Sequence, residues 1–283
     1  MPAFYNQATL TYNGTSTQSN TTVGELVATL TITKNNVNQT YTPGERITYV
    51  VNLVNSGATA MTGITLTDDL GAYTFGADTR TPLTYVPNTL LYYVNGVLQT
   101  TPTVTAGPPL TVTGLAVPAG GNIAVVYQAD VNGYATPTAG ATVTNTATVT
   151  GTGITTPLTA TSTTTVNDAP RLTVTKSLSP TTVAENGQLT YTFTIQNYGN
   201  TETLATDTTT LTDTFNPILN PITVTYNGAA WAASNYTYDT ATGVFTTTPG
   251  AITVPAATAT QNETTGTWTV TPGTTILTVS GTV

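Results

Sequence analysis

The sequence predicts an all-β protein: two tandem immunoglobulin-like β-sandwich domains plus an N-terminal donor β-hairpin. Three observations carry this expectation. About a quarter of the 283 residues are Thr, and with Val, Ile and Tyr they fit a half-buried pleated surface better than a helix. Apolar and polar residues alternate over short runs, and Gly and Pro punctuate them where turns are needed. Finally, the chain repeats itself, and the repeat spans almost its whole length.

Composition removes several function classes. The formal net charge is −8 with only five Lys and Arg, so there is no basic cluster to displace counterions from nucleic acid or to meet an anionic membrane. No apolar run reaches the length of a membrane span, so membrane insertion is not expected. With no Cys there is neither a disulfide framework nor a thiolate metal site. With no His the usual proton shuttle at neutral pH is missing. We expect no enzyme, no cofactor and no metal. Met1-Pro2-Ala3-Phe4-Tyr5 lacks both a basic and an apolar region, so it does not read as a secretory signal, and the route to an extracellular site is left open.

The repeat is ordered. Leu30-Thr31-Ile32-Thr33-Lys34 returns as Leu172-Thr173-Val174-Thr175-Lys176, and Ile47-Thr48-Tyr49 as Leu189-Thr190-Tyr191. Asn55-Ser56-Gly57 matches Asn197-Tyr198-Gly199, Leu66-Thr67-Asp68 matches Leu211-Thr212-Asp213, and Val94-Asn95-Gly96 matches Tyr226-Asn227-Gly228. Residues 121–131 match 273–283, with Val125, Tyr127 and Val131 against Leu277, Val279 and Val283. We therefore expect a hairpin over residues 1–26, a complete sandwich over 27–169 and a second over 170–283.

The first repeat continues through Val143-Thr144-Asn145-Thr146-Ala147-Thr148-Val149 and Ser162-Thr163-Thr164-Thr165-Val166, whereas the second stops at Val283 without them. Their counterparts stand at the other end: residues 4–10 align with 143–149, and Ser19-Asn20-Thr21-Thr22-Val23 with 162–166. The transition from Leu26 to Leu30 then mirrors that from Val166 to Leu172. The second sandwich is thus expected to lack its last two strands and the hairpin to lack a body. Phe4, Ala8, Leu10 and Tyr12 share one face of that hairpin, and Val23 closes it. An unpaired edge is a liability and a lone hairpin is marginal, so each defect can repair the other by strand addition. The acceptor edge is expected at Leu277, Val279 and Val283. Three arrangements fit: donation to the next copy, a hairpin folded back on its own chain, or ends cut from a longer array. In the first the partner is the chain itself, in a head-to-tail homopolymer.

The two lysines of the chain, Lys34 and Lys176, occupy equivalent core-phase positions. Asp68, Asp213, Asn145 and Asn6 are also in core phase. A buried Lys, Asp and Asn are costly unless they meet. One reading is an isopeptide bond, in which a neutral amine attacks the Asn amide, protonated Asp polarises the carbonyl and ammonia leaves. The sets are Lys34, Asp68, Asn145 within the first repeat and Lys176, Asp213 with Asn6 of a neighbour. A non-covalent buried trio and a coincidence of phase remain alternatives. Asp68-Asp69 is too poor in carboxylates for a calcium site, and sequons such as Asn13-Gly14-Thr15 and Asn262-Glu263-Thr264 are expected by chance in so Thr-rich a chain.

At residues 172–176, Gly187-Gln188-Leu189-Thr190-Tyr191, Asn197-Tyr198-Gly199 and Asn145-Thr146-Ala147 the chain resembles the conserved repeat domain of unknown function found in tandem in bacterial and archaeal cell-surface proteins. It also resembles the major subunits of clostridial spore appendages. The resemblance implies immunoglobulin-like modules with structural or adhesive roles at a cell or spore surface. The permuted ends favour a fibre subunit; the alternative is an adhesin or surface-layer module binding carbohydrate or protein, with Trp231 and Tyr236 as exposed aromatics.

Overall fold

The computed structural model describes residues 3–25 and 29–283, so Met1, Pro2, the Leu26 transition and the expected boundary at 26/27 lie outside the described residues. Nearly all regular structure is strand, and the helices among the described residues are two single 3-10 turns. No helix there is long and apolar enough to cross a membrane.

The first sandwich packs two twisted sheets face to face. One runs in the order Val97–Gln99, Leu91–Val94, Asn122–Val131, Arg46–Asn55, Leu30–Asn36. The other runs Thr103–Thr105, Leu110–Val117, Met61–Asp68, Thr142–Thr150, Leu158–Val166, Thr40–Tyr41. The period of two sets which side chains meet between them. Ile47, Tyr49, Val51 and Leu53 are buried on one long strand, and Ile123, Val125, Tyr127 and Ala129 on its neighbour. Ile64, Leu66, Val112, Leu115, Ala147 and Val149 face them from the second sheet.

The second sandwich repeats only part of this plan. Its first sheet runs Leu172–Ser179, Gln188–Asn197, Gly273–Thr282, Ile222–Tyr226, Ala229–Ala230, and its second has three strands, Thr212–Thr214, Val244–Thr247, Tyr236–Tyr238. Leu189, Tyr191, Phe193, Phe215, Phe245, Leu277 and Val279 form its core. Two-residue turns with both residues in the left-handed region close matching hairpins in the two sandwiches: Asn95 and Gly96 (φ 47° and 79°), and Asn227 and Gly228 (φ 49° and 81°).

The repeated Asn-x-Gly is a bracket between the sheets. Asn55 Oδ1 accepts from the Gly57 N–H at 2.9 Å, while its Nδ2 donates to the carbonyls of Thr59 (2.8 Å) and Pro118 (3.1 Å). Asn197 does the same with Gly199 N–H (2.8 Å), Thr201 O (2.7 Å) and Pro255 O (3.1 Å). Both amides are buried, so each partner left unpaired would pay the full cost of losing water.

After Pro255 the second sandwich departs from the first. Where residues 118–121 make a tight turn, residues 256–272 carry an extra antiparallel hairpin, Thr258–Gln261 with Trp268–Thr271. This hairpin reaches back to the first sandwich. Trp268 N–H donates to Gly133 O at 2.8 Å, and Arg80 Nε donates to Thr265 O at 2.8 Å. Arg80 also lies against the rings of Phe75 and Tyr134.

Asn55→Ala and Asn197→Ala are each expected to cost about 1–3 kcal/mol, read as a lowered midpoint of denaturant unfolding. Gly199→Ala should cost more, because its Cβ would collide with the Ala169 carbonyl.

Candidate functional site

In the first sandwich the core-phase polar residues come together. Lys34 comes from Leu30–Asn36, on the edge of the first sheet. Asp68 ends Met61–Asp68, in the middle of the second, with Ala147 paired to it across the ladder from Thr142–Thr150. Lys34 Nζ lies 2.6 Å from Asp68 Oδ2, and the two side chains are 0% and 1% exposed. Asp68 Oδ1 accepts from Leu70 N–H at 3.1 Å. Asn145 is fully buried on the same face as Ala147, as the alternation requires.

No hydrogen bond among the described residues joins Asp68 to Asn145; Tyr127 stands between them. Its hydroxyl donates to Asp68 Oδ2 at 2.5 Å and accepts from Asn145 Nδ2 at 3.2 Å. Among the described residues Asn145 Oδ1 and the Tyr49 hydroxyl are buried without a hydrogen-bond partner. The Tyr49 ring stacks on that of Tyr127 at 5.4 Å and lies 5.0 Å from Lys34 Nζ. Burial lowers the Lys34 pKa despite the attraction of Asp68. Burial, reinforced by Asp68, raises the Tyr127 phenol well above its ordinary value, and burial pushes Tyr49 up to about 12. Burial thus works against the charged form of the amine and of both phenols.

The Leu158–Val166 strand seals this cluster. Ser162 Oγ donates to Asn36 Oδ1 at 2.9 Å, and Asn36 Nδ2 donates to Thr164 Oγ1 at 3.1 Å, tying the last strand over the first. Asp69 Oδ1 accepts from the N–H groups of Thr146 and Gly71, each at 2.8 Å, and so pins the Asn145 strand.

The second sandwich holds the equivalent pair without the seal. Lys176 Nζ meets Asp213 Oδ2 and lies over the rings of Tyr191, Phe193 and Phe215. Its side chain is 39% exposed and that of Asp213 20%. Leu172 and Val174 are also exposed, whereas their equivalents Leu30 and Ile32 are buried or half-buried. The reason is visible in the ladder. Among the described residues Thr212–Thr214 pairs only with Val244–Thr247, and none pairs on the side where Met61–Asp68 receives Thr142–Thr150. At the position of Tyr127 stands Val279.

Leu277, Val279 and Val283, expected at an edge, do not lie on one. Leu277 and Val279 lie on Gly273–Thr282, which is paired on both sides, by Gln188–Asn197 and by Ile222–Tyr226, and both are buried. Val283 packs against the same core and exchanges backbone bonds with residues 186–187. The free edge belongs to the Asp213 strand instead.

Residues 3–25 form two stacked ladders, Ala3–Asn6 with Thr22–Glu25 and Thr9–Tyr12 with Thr15–Gln18. Between them Ser19 Oγ accepts from Ala8 N–H at 2.9 Å and breaks the register. Asn6 thus faces Thr22, not Ser19, where Asn145 faces Ser162. Phe4, Asn6, Ala8, Leu10 and Tyr12 are exposed, the last two at 67% and 75%, and so is Val23. Trp231 and Tyr236 are not displayed: both are half-buried against the second core, Trp231 stacked between Tyr226 and Tyr236.

In an unfolded chain phenols ionise near pH 10, whereas Tyr41 and Tyr49 in the folded chain hold their protons to about 12 and burial also raises Tyr127 well above its ordinary value. Raised values stabilise the fold fully below pH 10, and that contribution falls away as the pH climbs from about 10 toward 12. A tyrosinate absorbance titration should show a late class of phenols that ionises together with loss of near-UV circular dichroism. Titration of all 15 tyrosines in one step near pH 10, with structure intact, would contradict this.

No family model matches the chain, and no curated protein sequence matches it. Several solved structures align with the chain. The major pilin subunit BcpA of Bacillus cereus aligns over 96% of this chain and 73% of its own at 11% identity, TM-score 0.38. The pilus backbone RrgB of Streptococcus pneumoniae aligns over 87% and 55% at 12% identity, TM-score 0.33. The collagen-binding subdomain of the Enterococcus faecalis surface protein ACE aligns over 50% and 99% at 8% identity, TM-score 0.32. Likeness at this level does not assign a function.

Proposed function

We propose that this chain is the structural subunit of an extracellular or spore-surface fibre, assembled head to tail by hairpin donation. Residues 3–25 of one copy complete the second sandwich of the next. One observation carries the reading. The Asp213 strand is open on the side where the Asp68 strand holds the Asn145 strand, and the same chain presents an unpartnered hairpin with Asn6 in the phase of Asn145.

The first sandwich supplies the register. Ala147 pairs with Asp68 and Val149 with Leu66, so Ala8 of the donor sets against Asp213 and Leu10 against Leu211. Phe4, Leu10 and Tyr12 then cover the exposed Leu172 and Val174, each large side chain contributing about 1.5–3 kcal/mol on burial. The Thr22–Glu25 strand follows as Leu158–Val166 follows Thr142–Thr150, sealing Lys176. The contact joins two different surfaces of one chain, so it propagates unless the rotation closes a ring.

Isopeptide bonds lock the assembly: Lys34 to Asn145 inside the first sandwich, and Lys176 to Asn6 of the donor at each joint. In each, Nζ–Cγ forms, Cγ–Nδ2 breaks and ammonia leaves, with Asp68 or Asp213 taking and returning the proton. The sealed Lys34–Asp68 pair and the lowered Lys34 pKa support the first bond.

Purified protein is expected to form filaments unaided under the electron microscope, and deletion of residues 1–24 should leave monomer. Leu10→Asp should weaken assembly in the same direction. Boiling in detergent should leave a ladder of multimers that Lys176→Ala collapses to one band while filaments still form. A deletion variant that polymerises as before would refute hairpin donation.

A further inference from the structure

The cross-link reading leaves one transfer unassigned. The attacking amine must shed a proton and the departing amide nitrogen must gain one to leave as ammonia. In the first sandwich these two nitrogens sit at opposite ends of one hydrogen-bonded line: Lys34 Nζ to Asp68 Oδ2 at 2.6 Å, Asp68 Oδ2 to Tyr127 hydroxyl at 2.5 Å, and Tyr127 hydroxyl to Asn145 Nδ2 at 3.2 Å. Lys34, Asp68, Tyr127 and Asn145 are all buried, and side chains alone span the gap. We propose that Tyr127 is a catalytic residue of the first sandwich, the acid that hands the proton to the leaving nitrogen of Asn145. This rests on the isopeptide reading above and adds to it a residue that a Lys, Asp, Asn set does not contain.

The step balances. Lys34 gives its ammonium proton to Asp68, leaving a neutral amine and a carboxylic acid, and the amine attacks Asn145 Cγ. Once Asp68 is protonated, the phenolic O–H, which donates to Asp68 Oδ2 in the resting site, turns toward Asn145 Nδ2; Asp68 then passes its proton to the Tyr127 oxygen as the phenolic proton moves to Asn145 Nδ2, now a tetrahedral amine with a free lone pair. The Cγ–Nδ2 bond then breaks. The Lys34 nitrogen, which carries a second proton in the adduct, returns one to Asp68 and then to ammonia as it departs; the phenol ends as it began. Its firm hold on a proton suits a group that relays one without ever standing as a phenolate.

The second sandwich is the internal contrast. Val279 occupies the place of Tyr127 there, and Lys176 and Asp213 are open to solvent, so water is at hand for the same transfer. The phenol belongs only where the site is dry.

The test is peptide mapping of the full-length chain by mass spectrometry, comparing wild type with Tyr127→Phe and Tyr85→Phe. Tyr85 is a neighbouring core ring, 6.4 Å from Tyr127, whose hydroxyl is outside the line. The wild type and Tyr85→Phe should yield a branched peptide joining Lys34 to Asn145, lighter than its parts by one ammonia. Tyr127→Phe should lower its yield by about 10²-fold or more while leaving the detergent-resistant ladder in place. Equal yield in Tyr127→Phe overturns the role of the phenol and leaves the bond standing. Loss in both Phe variants overturns it too, by pointing to packing. No branched peptide even in the wild type overturns the bond reading and this inference with it. Should Tyr127→Phe fail to fold, solvent-isotope measurement on the wild type decides: yield during refolding that is unchanged in heavy water refutes a relayed proton.

Discussion

A β-strand in the middle of a sheet must be held on both sides, and the two sandwiches of this chain differ in whether that demand is met. Met61–Asp68 lies between Leu110–Val117 and Thr142–Thr150. Its counterpart Thr212–Thr214 has a neighbour on one side only. The exposure of Lys176, the uncovered Leu172 and Val174 and the shortness of the second sheet all follow from this one vacancy. Backbone donors and acceptors along a free edge, next to an apolar face, make an incomplete surface that a matching strand satisfies in one step.

The polar cluster gains its character from the same closure. Sealed under Leu158–Val166, Lys34 loses water and is driven toward its neutral form; beside the open edge, Lys176 keeps access to solvent. A buried ion pair is weak evidence for stability, since desolvation offsets the attraction. Here it draws strands together, because Lys34, Asp68, Tyr127 and Asn145 come from four strands of both sheets.

Much of this was legible in the sequence, for a definite reason. Strict alternation runs without a bulge from Leu30 to Lys34, from Ile64 to Asp68 and from Val143 to Val149, so counting by two put Lys34, Asp68 and Asn145 on the core face. Tyr127 was equally in phase, but an aromatic core residue and a hydrogen-bonding one share the same pattern. The pairing of Leu277 and Val279 was not legible, because periodicity gives the face of a strand and not its rank in the sheet: both are core residues of a central strand. The Asn-x-Gly match was visible at 55 and 197, yet its bracket across to Pro118 and Pro255 joins residues far apart in the chain. Trp231 and Tyr236 looked like a display because nothing local says that they stack on each other.

The extra hairpin of the second sandwich bears on mechanics. Two sandwiches joined by a single crossing segment would be free to swivel about it. Contacts from Trp268 to Gly133 and from Thr265 to Arg80 lie away from that segment and fix the azimuth of one sandwich against the other. At the equivalent place the first sandwich makes only a tight turn, 118–121. Bonds set off the connecting segment therefore resist torsion between the two sandwiches.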